Sequence, residues 1–322
     1  MWFALILCLL PTALFAGGDL KLATWNLEWL LSPEALQDLR GSCTPEGARP
    51  RPNTRSIPCD VAAKLDRGRT DFEALARYAR RLDADVVALQ EVDGEGAARL
   101  VFPGYRFCFT GRRHVQNTGF AIRRGIPFRC GRDLTSLSLG GSVRRGAELV
   151  LYPGESREFR LLSVHLKSGC GSRLLNDRRK DCAALDRQVD FLEAWIDSEA
   201  AARRPFAILG DFNRNLLRDT GTARDASGTR LRLWPEIDDG DPPEADLTNT
   251  AAGERFANCS MKQVFRGYID YIVLSRSLSD RLVPGSFTRV VYDTQDAVRR
   301  KLSDHCPVSI RLRVPIAPKK LD

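Results

Sequence analysis

The sequence predicts an α/β fold built of stacked layers, and three observations predict it. About ten short apolar runs of strand length lie between residues 19 and 314. Only two longer segments carry a clear helical period. No Pro-, Gly- or Ser-rich linker divides the chain, so residues 18–322 read as one domain. Few helices among many strands favour layers over a simple doubly wound sheet.

The elements follow in order. "DLKLATWNLEWL" (19–30) alternates and then runs apolar, as a buried strand does. Residues 31–69 are rich in Pro, Arg and Gly and hold Cys43 and Cys59, the mark of a stapled or functional loop. "TDFEALARYARRL" sets Thr70 three residues before Glu73, a capping box, and lines Phe72, Leu75, Ala79 and Leu82 on one helical side. "DVVALQEV" (85–92) is an apolar strand ending in a carboxylate. Further strands are expected at 119–124, 146–152, 157–168, 205–212, 268–275, 286–292 and 307–314. A second helix is expected over 176–196, with Leu185, Val189, Leu192 and Ile196 on one side. Residues 213–265 are polar and show little periodicity.

The 322 residues carry a formal charge of +8, which attracts polyanions but says nothing of fold. "MWFALILCLLPTALFAGG" is apolar, Pro-broken and too short to span a bilayer comfortably, so residues 1–17 read as an export signal. Eight cysteines follow it, and short loop closure suggests the pairs 43–59, 108–130, 170–182 and 259–306. No CxxC is present and histidines number three, which argues against a thiolate metal cluster. The compartment implied is oxidising, periplasmic or extracellular.

Six apolar runs place polar side chains at or near their ends: Asn26 with Glu28, Glu91, His165, Asp211 with Asn213, Asp270, and Asp304 with His305. A single strand-end Asp or Asn commonly caps a turn. Six such placements fit a common purpose better, because buried carboxylates and amides are costly unless paired. Carboxylates and amides without clustered thiols make a hard oxygen site for Mg²⁺, Mn²⁺ or Ca²⁺. A histidine oriented by an aspartate can take a proton from water near neutral pH, and the two together suit phosphoester hydrolysis.

"TWNLEWL", "ALQEV", "SVHLKS", "LGDFN", "IDYIVLS" and "SDHCPV" stand in one order, and in that order the chain resembles the endonuclease/exonuclease/phosphatase superfamily from about Leu20 to Val314. The likeness is to its pancreatic-type deoxyribonucleases, and "HLKSGC" with "LGDFNR" looks most like secreted bacterial nucleases. The resemblance implies a four-layer α/β sandwich, two mainly antiparallel sheets facing each other between helices. It implies catalytic roles for His165, Asp211, Asn213, Asp270 and His305: Asp270 orients His305, which activates water or meets the phosphate, and His165 acts on the leaving-group side. Asn26, Glu91 and Asp304 match metal ligands, and Glu28, Lys167, Arg112 and Arg113 are candidate substrate contacts.

The activity so implied is metal-dependent endonucleolytic hydrolysis of DNA, favoured over RNA, by a secreted or periplasmic monomer without stable membrane association. Mg²⁺ or Mn²⁺ would serve it, with Ca²⁺ as a further candidate. A sphingomyelinase-like phosphodiesterase is the alternative, and it would need an exposed apolar element to enter lipid. Trp25, Trp29 and Trp195 read instead as core or near-site residues. An inactive binding protein of the same fold is a third reading, opposed by the intact motifs. The acidic loop 235–246 reads as solvated, and His114 receives no role.

Overall fold

A computed structural model of the protein describes residues 18–41, 65–112, 114–260 and 263–315. The export signal at 1–17, Cys43, Cys59 and Arg113 lie outside the described residues. In chain order the principal elements are β1 (Gly18–Leu30), α1 (Pro33–Gly41), α2 (Arg69–Leu82), β2 (Val86–Val92), α3 (Glu95–Val101), β3 (Tyr105–Phe109), β4 (Asn117–Arg123), β5 (Phe128–Cys130), β6 (Ala147–Leu151) and β7 (Phe159–His165). There follow α4 (Lys180–Ala201), β8 (Phe206–Asp211), β9 (Leu247–Asn249), β10 (Asp270–Ser275), β11 (Thr288–Arg289) and β12 (Val308–Val314), with single helical turns between them.

The strands form two six-stranded sheets, ordered β11-β12-β1-β2-β4-β3 and β5-β6-β7-β8-β10-β9. Each is antiparallel except for one central parallel pair, β1 with β2 and β7 with β8. These four strands read as continuous apolar runs because both of their faces are covered. On β1 and β2, Leu22, Val86 and Ala88 join the core that includes the second sheet, whereas Ala23, Trp25, Leu27, Val87 and Leu89 pack with α2. That helix answers with Phe72, Leu75, Ala79 and Leu82, the predicted stripe, and with Tyr78 besides. Burying each such large side chain contributes about 1.5–3 kcal/mol, so truncating Leu75 strikes at the join of two layers. On the other side, Leu185, Val189, Leu192 and Ile196 of α4 belong to the core of the second sheet. Helix, sheet, sheet, helix is the layer order.

Several local expectations needed correction. Helix α2 begins at Arg69, so the capping box falls on Gly68 and Asp71, whose Oδ2 accepts the Gly68 N–H at 2.9 Å. Glu73, freed from that role, pairs with Arg69 at 2.8 Å. The strand expected over 286–292 shrinks to Thr288–Arg289, because the chain then turns to bury Tyr292 beneath β1. Nine residues of the expected long loop form α1, and β3, β5 and β9 are additional short strands. The disulfides Cys108–Cys130, Cys170–Cys182 and Cys259–Cys306 are all present. Among the described residues no helix is long and apolar enough to cross a membrane.

Candidate active site

Strand register explains why the polar residues meet. Asp211 on β8 is the register partner of His165 on β7 and of Asp270 on β10. Partners on neighbouring strands project from the same face, so the three form one row directed at the first sheet. In the first sheet Asn26 of β1 partners Gln90 of β2, and the Gln90 amide donates to Ser163 Oγ of the facing sheet at 3.1 Å. Strict alternation would then send Glu91 outward. A register shift beyond Leu89 and a left-handed backbone at Glu91 (φ 59°) re-aim its carboxylate inward. Glu28, Trp29 and Asn213 share that sparsely populated backbone region, so four of the eight left-handed non-glycine residues among those described border the site.

Asp304 and His305 lie in a bend before β12, not on the strand itself. Their side chains therefore border one space, with Asp304 Oδ1 3.8 Å from His305 Nε2. The bend is fixed from behind: His305 O accepts from Trp25 Nε1 at 3.1 Å and from Tyr292 Oη at 2.6 Å. Ser303 Oγ donates to Asn26 O at 2.7 Å and accepts the His305 N–H at 3.0 Å, which ties the bend to β1.

Asp211 Oδ2 is the hub. It accepts from Asn26 Nδ2 at 3.0 Å and Asn213 Nδ2 at 3.2 Å, and lies 3.5 Å from His165 Nε2 and 3.9 Å from His305 Nε2. His305 Nδ1 bonds Asp270 Oδ2 at 2.8 Å, which leaves Nε2 facing the cluster. Glu91 accepts from Asn26 at 3.2 Å, from the Trp29 N–H at 3.1 Å and from Gln116 Nε2 at 2.7 Å. The Asp304 N–H donates to Glu28 Oε2 at 3.0 Å.

The two histidines are driven in opposite directions. Burial, reinforced by Arg144, holds His165 well below the ordinary imidazole value. Burial would lower His305 too, but the Asp270, Asp211 and Asp304 carboxylates outweigh it and push the ring up to about 10. Burial raises Asp211 to about 7 against the pull of His305, with Asp270 adding to the rise. Glu28 also reaches about 7, through burial and the Asp304 charge. Groups of one kind pushed apart in this way are the usual mark of divided acid and base duties.

The donor set fits a hard divalent cation. Among the described residues, Asp211, Asp270 and His305 each offer a ligand atom, all within 4.8 Å of one another. Asp270 Oδ1 is buried with no hydrogen-bond partner, an acceptor left open on the same cluster. The set expected from sequence is split. Asn26 and Glu91 touch each other, whereas Asp304 meets His305 and Glu28. Carboxylates, an amide and one imidazole suit Mg²⁺ or Mn²⁺ better than a soft metal.

The remaining candidates lie at the margin. Lys167 Nζ is taken up by Asp181 at 2.8 Å. Arg112 donates to Gly141 O at 3.2 Å, and burial with the neighbouring Arg144 and Arg145 charges lowers it to about 10. His114 Nδ1 accepts the backbone N–H of Gln116 at 3.0 Å, the same glutamine whose side chain donates to Glu91. Sequence reasoning missed Arg144, which donates to Leu166 O at 2.6 Å next to His165, with its buried Nε unpartnered. It also missed Arg67, whose fork gathers the carbonyls of Glu28 (2.6 Å), Lys301 (2.8 Å) and Leu302 (3.2 Å). Neither arginine stands in a motif, so no local signal marks it.

Comparison with known proteins identifies the family and the fold. The model of the Endonuclease/Exonuclease/phosphatase family matches residues 23–305. No curated protein sequence matches the chain. Among solved structures, truncated TDP2 of Caenorhabditis elegans is 14% identical with a TM-score of 0.56, over 92% of this chain and 98% of that one. An AP endonuclease from Archaeoglobus fulgidus is 13% identical with a TM-score of 0.56, over 92% and 100%. A 3'-5' exonuclease from Neisseria meningitidis is 16% identical with a TM-score of 0.51, over 91% and 100%. At such identities the structures speak for the fold, while the family match runs from Ala23 on β1 to His305, most of the chain: the chain belongs to the endonuclease/exonuclease/phosphatase family.

Proposed function

We propose that the protein is an exported, divalent-cation-dependent phosphodiesterase that cleaves DNA internally by in-line attack of water on a backbone phosphate. The observation that carries the reading is the hub at Asp211, where His165, His305, Asn26 and Asn213 converge from both sheets. Asp270 holds His305 by Nδ1, so Nε2 presents the ring's proton to a phosphate oxygen or to water. Asp211 and the neutral His165 are the acceptors opposite. The Asn213 amide and the Arg144 and Arg112 guanidiniums supply donors to an anion. A bound Mg²⁺ or Mn²⁺ would add Lewis-acid charge at phosphate and leaving oxygens; Glu91 and Asn26, which lie together beside Asp211, would hold it, with the open Asp270 oxygen as a further acceptor and Asp304 on the His305 side.

DNA as substrate draws support from the net charge of +8 and from fold relatives named as an AP endonuclease and an exonuclease. Export draws support from the three disulfides. The test is conversion of supercoiled plasmid to nicked and linear forms with Mg²⁺ or Mn²⁺, beside His305→Ala and EDTA controls. Cleavage that both controls abolish is expected. Full cleavage in EDTA would overturn the metal-assisted reading, and a fully active His305→Ala would overturn the site.

A further inference from the structure

A groove of about 520 Å³ opens beside the hub, between residues 169–172 and 264–267, with Asn213 and Arg218 along it. That size is within the range of ligand clefts. Both walls are covalently stapled, the first by Cys170–Cys182 and the second by Cys259–Cys306. The fully buried Arg214 braces the first wall, donating to Gly171 O at 2.8 Å and Arg173 O at 2.7 Å while its fork grips Asp219. In the second wall Gln263 accepts the Cys259 N–H at 2.7 Å and donates to Phe265 O at 2.6 Å.

This bracing holds an unusual pair of side chains in place. The half-buried Phe265 ring sits 4.8 Å from the ring of His305, tilted by 44°. Val264 beside it is 85% exposed and lines the groove. Arg218 and Arg266 are exposed and make no ion pair among the described residues. An aromatic face, an exposed apolar neighbour and free guanidiniums are the parts that bind single-stranded nucleic acid. Rigid walls reduce the cost of ordering that accompanies binding.

We propose that this groove is the subsite for the nucleoside flanking the scissile phosphate, and that it takes an unpaired nucleotide. The base or sugar lies against Phe265 and Val264, and the next phosphate lies between Arg218 and Arg266. In a duplex each base is already stacked on both faces, so an aromatic ring in the groove is reached only by a single strand or a frayed end. The subsite rests on the phosphodiesterase reading and narrows its substrate.

The test compares three substrates with Mg²⁺: a single-stranded oligonucleotide, the same sequence as duplex, and bis(4-nitrophenyl) phosphate. Phe265→Leu keeps apolar packing on His305 but removes the stacking face, and Phe265→Trp keeps both. Wild-type protein is expected to favour the single strand. Phe265→Leu should lose about 10-fold more kcat/KM on the single strand than on the small diester, and Phe265→Trp should retain it. The double variant Arg218→Ala with Arg266→Ala should flatten the salt dependence by about two charges. Equal losses on all three substrates would overturn the subsite and leave Phe265 a support for His305, as would a wild-type preference for duplex. Wild-type inactivity on all three would overturn the phosphodiesterase reading, and the subsite with it.

Discussion

Removing the Asp270 charge should reverse the protonation of His305. In the metal-free protein the ring is pushed up to about 10 from an ordinary value of 6.5, against its burial. That rise corresponds to at most about 5 kcal/mol of preference for the charged form, most of it owed to the carboxylate 2.8 Å away. Asp270→Asn keeps the size of the side chain and removes the charge, leaving Asp211 and Asp304 to oppose burial; His305 should then titrate toward 6.5 or below. The chain's three histidines make the assay direct: ring ¹⁵N spectra of EDTA-stripped protein contain three imidazoles to follow with pH. His305 should stay protonated through neutral pH, His114 should titrate near 4 and His165 should stay neutral. The sign for stability follows. A raised folded-state value means the pair's contribution is fully present below about pH 6.5 and is lost as pH rises through about 10. Loaded with metal, the variant should lose about 10²–10⁴-fold in turnover. Wild-type His305 titrating near 6.5, or an unchanged titration in Asp270→Asn, would refute the reasoning.

Two further perturbations test the scaffold. A Cβ at Gly210 (φ +152°) would meet Val164 O at 2.0 Å, so Gly210→Ala should separate β7 from β8 and cost ~3 kcal/mol or more, read as a lower urea midpoint. Glu193 on α4 is half-buried and raised to about 8 by burial, with Asp197 and Asp239 adding. Its contribution is present below about pH 4.5 and lost as pH rises through about 8, which after allowance for solvent amounts to ~1–2 kcal/mol. Glu193→Gln should therefore raise the melting temperature by a few degrees at pH 8.5 and leave it unchanged at pH 5.

Much of this was legible in the sequence because burial writes itself into hydrophobic pattern. The central strands carry apolar runs since layers cover both faces, and their polar ends stand out against that background. Edge strands resist reading: "YRFCF" of β3 mixes an arginine into a short exposed ribbon, and β5 is three residues long. Helix α1 hid in the long loop because it buries only Leu36 and Leu39, in a small cluster with Val115. The site was legible as a set of residue types, but its geometry was not. Alternation predicts that Glu91 points away, and only the backbone at φ 59° shows otherwise. Arg144, Arg67 and Phe265 act across space from segments with no motif, so only the fold connects them to the cluster.

Gly18 pairs with Val314 and Thr24 with Val308, joining strands almost three hundred residues apart. His305 is thus carried in by the last strand to leave the ribosome among those described. Until that strand arrives, β1 has an open edge and the hub lacks its only charged imidazole. A chain cut short before residue 305 would lack His305 and would be prone to pair wrongly through that edge. Pairing over so long a separation makes closure of the first sheet a slow step.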